Sequence, residues 1–122
     1  VAAAIAHGHD SDKKNFTEDD WTNVAGHSKL PPYPKSKMLA EKAAWDFLEA
    51  LPAEERFELV TILPAIVFGP NLNSANFAVG DMVKSMLLNQ MPAYPDLAFP
   101  CVDVRDVAQA HLEAVLRDEA NG

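Results

Sequence analysis

Basic residues, cysteine and glycine are all scarce in this chain, and each scarcity excludes something. Ten Lys and Arg face 18 Asp and Glu, for a net charge of −8. A nucleic-acid binder needs a basic face, and none is visible. The same balance argues against a polybasic membrane anchor. No apolar run approaches the length of a membrane span. Cys101 is the sole cysteine, so no internal disulfide can form, and a reducing, cytoplasmic setting is the default. Of the five glycines, none forms the G-x-x-G-x-x-G turn that cradles a dinucleotide pyrophosphate after a strand. The opening VAAAIA lacks a preceding basic stretch and runs into polar HGHDSDKK. It is not a signal peptide and reads as a strand or turn cut from something longer.

What is present is an ordinary folding composition. The 122 residues are 48% hydrophobic, enough for one domain with a core. Residues 7–32 are polar and irregular, which predicts a long loop with a short helical turn at FTEDDW, where Thr17 precedes Asp20 by three. Good helix formers predict a helix over about 33–50, with Pro34 in its first turn and Pro52 beyond its end. Residues 59–63 have the β-branched, apolar character of a strand buried on both faces. Pro64 ends the ladder, and Gly69-Pro70 marks a loop. A second helix is expected over about 77–89 and a short strand within 98–104. Val107, Ala110, His111, Ala114 and Val115 form the apolar stripe of a last helix, capped by Asp103 or Asp106. Loop, helix, buried strand, helix, strand, helix is an α/β order with parallel strands.

Tyr33 and Lys37 stand four apart at the start of the first helix. They share one stripe with Ala40, Ala44, Phe47 and Leu51, which predicts an interior face. Lysine is seldom buried without a partner. A phenol titrates near pH 10, too high for proton transfer at neutral pH, and a nearby ammonium favours the phenolate. Such a pair can protonate a carbonyl oxygen that receives hydride. The lysine's three N–H donors can also hold ribose hydroxyls. The structural alternative is a lysine that snorkels from an apolar face.

The surrounding text adds to the spacing. YPKSKMLAEKAAWDF resembles the active-site helix of the extended short-chain dehydrogenase/reductase family, in its dihydroflavonol-reductase-like branch, which includes aldehyde and methylglyoxal reductases. In the same order, VAAAIAHGH resembles the stretch after that family's active-site serine. LPAIVFGP resembles its N-P-G-x-V-x-G-P segment, and CVDVRDVAQAHLEAV its F-V-D-V-R-D-V-A segment. The resemblance implies a partial Rossmann-type fold, an NAD(P) cofactor with NADP(H) ahead of NAD(H), and hydride transfer to an aldehyde or ketone. It makes Tyr33 the general acid and Lys37 its ribose-binding partner, and sets Pro64, Ala65, Ile66 and Val67 beside the nicotinamide. It also implies that residues 1–122 are a single incomplete NAD(P)-binding domain lacking the N-terminal glycine-rich half, truncated at both ends, with the family's serine just before Val1. Such a piece is expected to be inactive alone and unable to hold a dinucleotide tightly. Leu63 and Ala65 depart from the Asn and Gly that flank this proline in the family, and Cys101 from its Phe, which puts pocket shape in question. A nucleotide-sugar epimerase or dehydratase, or a non-catalytic dinucleotide-binding protein, would use the same scaffold.

Other residues invite weighing. Asn71 and Ser74, after Gly69-Pro70, are the substrate-loop candidates. His7-Gly8-His9 lacks a third metal ligand and reads as solvated or substrate-facing, so no metal is expected. His111 reads as a hydrogen-bonded core histidine. Asp103, Arg105 and Asp106 read as a helix cap with an ion pair rather than a buried substrate cluster. Cys101 has no adjacent base and is no nucleophile candidate. Phe77, Met82, Met86 and Met91 could line a substrate pocket or form a helix core face.

Overall fold

Prolines 31, 32 and 34 set where the first long helix begins, because their fixed φ suits a helix start and their missing N–H groups would be unpaired there anyway. In the computed structural model, which describes residues 1–10, 12–25, 30–73, 78–93 and 99–120, this helix is α1, Pro32–Ala50. Its N-terminal half packs on a short 3₁₀ turn, Ala2–Ala4, through Pro34 and Met38. The chain then passes a 3₁₀ turn, Ala53–Glu55, and runs without regular structure to β1, Ile66–Phe68. Helix α2, Ala78–Leu87, follows, then β2, Cys101–Asp103, and α3, Val104–Leu116. A last 3₁₀ turn spans Asp118–Ala120.

β1 and β2 pair in parallel, with Ile66 opposite Cys101 and Phe68 opposite Asp103. With α2 between them they form a strand–helix–strand unit, the smallest piece of a parallel α/β sheet. The fold is thus a partial α/β, Rossmann-type arrangement. Asn89 at φ 51° supplies the left-handed step that stops α2, and the Gln90 N–H closes back on the Ser85 carbonyl at 2.9 Å. Gly69 is required after β1. Its φ is 146°, and a Cβ there would lie 2.5 Å from Val104 Cγ1.

Two expectations need correction. The strand is not 59–63 but Ile66–Phe68, because a strand exists only where a ladder partner lies alongside, and β2 lies beside 66–68. Residues 59–63 are half-buried but belong to no strand. The buried face of α1 is also not the Tyr33 stripe. Pro34 and Met38 are buried, and Glu41, Trp45 and Leu48 half-buried, whereas Ala40 and Ala44 are exposed and Phe47 is 60% exposed. On that stripe only Lys37 and Leu51 are half-buried, and Tyr33 too is exposed. The whole chain shows why: it exposes 9516 Å², where a compact monomer of its mass would expose about 6,500 Å². The buried apolar residues among those described are Ala4, Pro34 and Met38. Val115, predicted to be apolar-facing on α3, is likewise 83% exposed.

Candidate active site

The opening segment is held in place by one buried side chain. Thr22 is 3% exposed. Its hydroxyl donates to the Ala3 carbonyl at 2.9 Å and accepts from the His7 N–H at 3.2 Å. Its own N–H donates to the Ala4 carbonyl at 2.8 Å, and the Asn23 N–H donates to the His7 carbonyl at 2.9 Å. On the other side, the Ala2 N–H donates to the Pro64 carbonyl at 2.9 Å. These bonds lay residues 1–7 between α1 and the segment that leads into β1. A buried backbone without such partners would be costly. Nothing in the sequence marked Thr22 for this work, since its partners are 15 to 19 residues away.

The result is a cavity of about 560 Å³. Tyr33, Pro64, Ala65, Ile66 and Val67 all line it, together with the alanines of the opening turn, His7, Val79 and Phe99. Five of the six residues expected at the site by resemblance thus meet at one surface. The sixth, Lys37, sits one turn along α1, with Nζ 5.5 Å from the centroid of the Tyr33 ring. Lys37 is half-buried and has no ion-pair partner among the described residues. Tyr33 itself is 58% exposed. Asn71 is exposed on the loop beyond Pro70 and does not line the cavity. Ser74 and Phe77 lie outside the described residues. Met82, Met86 and Met91 do not line it either, and Met82 and Met86 are exposed on α2. The residues of this cavity that sequence reasoning missed are Val79, Phe99 and the alanines. Each is brought in by long-range packing, which a linear pattern does not display.

The remaining candidates fall to structural roles. Asp103 caps α3: its Oδ1 accepts from the Arg105 N–H at 2.8 Å. The Arg105 guanidinium grips both carboxylate oxygens, at 2.9 and 2.6 Å. That grip, with the cap, holds the Asp103 carboxyl down at about 2. The cap-and-ion-pair reading is what the geometry has. His111 is hydrogen-bonded, with Nδ1 2.7 Å from the Val107 carbonyl oxygen, but it is exposed rather than in the core. His9 bonds the Ile5 carbonyl at 2.7 Å and meets Phe16 edge-on. Among the described residues no group of three or more His, Cys, Asp or Glu could hold a metal. FTEDDW forms a turn and no helix: the Thr17 N–H donates to Asp20 Oδ2 at 2.9 Å, the Asp20 N–H to the Thr17 carbonyl at 3.1 Å, and Lys13 pairs with the Asp20 carboxylate. Cys101 is exposed. No helix among the described residues is long and apolar enough to cross a membrane.

Known proteins carry the same segments. The chain is 34% identical over 132 aligned positions to the NADPH-dependent methylglyoxal reductase of Saccharomyces cerevisiae, covering 99% of this chain and 39% of that enzyme. It is 38% identical over 91 residues to a cinnamoyl-CoA reductase of Medicago truncatula, covering 74% of this chain and 26% of that protein. With an anthocyanidin reductase of Vitis vinifera it shares 33% identity over 122 residues, covering 91% of this chain and 34% of that protein. No family model matches the chain. The chain spans about a third of the length of the curated relatives it matches.

Proposed function

Because the chain belongs to the extended short-chain dehydrogenase/reductase family, in its dihydroflavonol-reductase-like branch, we propose that it carries the proton-donating half of an NADPH-dependent reductase of aldehydes or ketones. The supporting observation is one cavity shared by Tyr33 and Pro64, Ala65, Ile66 and Val67, with a lysine one turn from the tyrosine that has no ion-pair partner among the described residues. Residues 1–122 serve in this reading as the second part of an NAD(P)-binding domain, working in the cytoplasm on a small molecule and not on nucleic acid.

The residues present fit one end of the cofactor. Small alanine side chains and the apolar wall of 64–67 suit a flat nicotinamide ring, and Lys37 would hold the adjoining ribose hydroxyls through its N–H donors. The same residues offer no glycine-rich cradle for the pyrophosphate. When bound, NADPH would supply the hydride that the carbonyl carbon receives. Tyr33 donates the phenolic proton to the carbonyl oxygen, and the Lys37 ammonium stabilises the phenolate left behind. A nucleotide-sugar substrate fits less well, since no cationic side chain lines the cavity among the described residues to meet a diphosphate.

The test is a chimera in which these 122 residues replace the matching segment of the yeast methylglyoxal reductase. NADPH oxidation that depends on added methylglyoxal is the expected result. A folded, NADPH-binding chimera without turnover would refute the proposal.

A further inference from the structure

Helix α1 carries a second set of side chains, clear of the Tyr33 stripe. Glu41, Trp45 and Glu49 follow at four-residue spacing, with Lys42 and Asp46 alongside. Together with Glu18, Asp19 and Trp21 of the loop before α1, and Thr61 and Leu63 ahead of β1, they line a groove of about 450 Å³. That is the size of a small-molecule site, and the groove shares no residue with the Tyr33 cavity. Both of the chain's tryptophans lie in it. Trp21 is exposed and Trp45 half-buried. The Thr61 hydroxyl donates to Glu41 Oε1 at 3.0 Å, which ties α1 to the run into β1. Five carboxylates against the one ammonium of Lys42 leave the lining at −4. Lys42 pairs with Asp46 at 3.6 Å. Glu18, Asp19 and Glu49 have no ion-pair partner among the described residues. Arg56 is committed to the Glu49 and Leu51 carbonyls, at 2.8 and 3.1 Å. Yet among the described residues no three of these carboxylates could hold one metal ion.

We propose that this groove binds an aliphatic diamine, a molecule with two ammonium groups joined by a methylene chain. Carboxylates divided between the loop and α1 do not converge on a point cation, but an extended one can meet a carboxylate at each end. Between the ends, the two indoles and Leu63 offer apolar surface to the methylenes. An indole also attracts an ammonium through its ring quadrupole, which a neutral alkyl chain cannot use. Lys42 shows the pairing within the chain itself: an alkylammonium in the lining that meets Asp46. The free carboxylates of Glu18, Asp19 and Glu49 are what a second molecule would answer. Their exposure makes each contact modest and sensitive to salt. The proposal does not rest on the reductase reading, because the two sites have no residue in common.

The experiment is a titration of the 122-residue chain at low salt with putrescine, butylamine and magnesium chloride, followed by tryptophan fluorescence. Because both tryptophans line the groove, the whole signal reports on it. Putrescine should bind saturably and about fivefold more tightly than butylamine, the worth of one further exposed ion pair. Magnesium, of the same charge as putrescine, should bind more weakly than either amine. Replacing one carboxylate from each side, Glu18→Gln with Glu49→Gln, should abolish the preference for putrescine over butylamine. Glu54→Gln with Glu55→Gln removes the same charge outside the groove and should leave the preference intact. Trp21→Leu, read through Trp45, should weaken both amines about threefold. No saturable binding of putrescine, magnesium binding as tightly as putrescine, a preference that survives in the groove pair, one lost equally in the Glu54 and Glu55 pair, or no effect of Trp21→Leu would each overturn the assignment.

Discussion

Two helices of this chain begin with a cation, and the two cations do different work. At the start of α3, Arg105 is locked in a fork on Asp103, which also caps the helix. Asp103 and Arg105 answer each other, and the Asp103 carboxyl is held at about 2 as a consequence. Near the start of α1, Lys37 has no ion-pair partner among the described residues, and its Nζ lies 5.5 Å from the ring centroid of Tyr33, which lines a cavity. Satisfied polar groups at a helix end stabilise the helix. A polar pair left unanswered beside an apolar cavity is poised for something that must still arrive. Charge pairs close in sequence therefore do not announce function by themselves. What separates them is whether the partners exhaust each other.

The contrast breaks first if the Tyr33 face of α1 turns out to be packing. Met38, on the other face, is 8% exposed, and Met38→Ala in the chimera should cost about 2–5 kcal/mol by urea unfolding. Next, Lys37→Met should lower kcat with methylglyoxal by about 10²-fold, within the range for assisted proton transfer, while leaving the melting temperature within a few degrees. A large loss of stability instead would make Lys37 structural, like Arg105. The third effect is smaller and depends on pH. The folded carboxyl of Asp103 sits at about 2, below its ordinary 3.8. Its contribution is therefore full above pH 3.8 and fades as pH falls through about 2. Asp103→Asn should lower the melting temperature by a few degrees at neutral pH and flatten the acid limb of the stability curve between these values. The smallest effect is expected at Phe47, 60% exposed on the Tyr33 stripe. Phe47→Ser in the 122-residue chain should change unfolding free energy by no more than about 0.5 kcal/mol.

Local rules were legible and long-range ones were not. The span 33–50 matches Pro32–Ala50 within a residue, because prolines and helix formers act through neighbouring backbone. The Asp103 cap was visible for the same reason. The buried strand at 59–63 was misplaced because β-branched residues tolerate several partners, and only the ladder with Cys101–Asp103 chooses Ile66–Phe68. The interior face of α1 was misassigned because an apolar stripe tells which side wants burial, not whether anything covers it. Tyr33, Lys37 and Pro64 to Val67 were named by resemblance; Tyr33 and Pro64 to Val67 line one cavity, and Lys37 lies against the Tyr33 ring. His7 was readable only as solvated or substrate-facing. Thr22, Val79 and Phe99 were invisible, since their roles come from contacts across the chain.

The claim that Tyr33 and Lys37 do chemistry while Asp103 and Arg105 build structure is tested most directly by kcat and melting temperature measured side by side. Tyr33→Phe and Asp103→Asn would be made in the chimera. The account predicts that Tyr33→Phe loses about 10²–10⁴-fold in kcat with its melting temperature unchanged, and that Asp103→Asn melts earlier with kcat within a few-fold of the parent. Turnover by Tyr33→Phe within about tenfold of the parent, well short of a lost general acid, would contradict it.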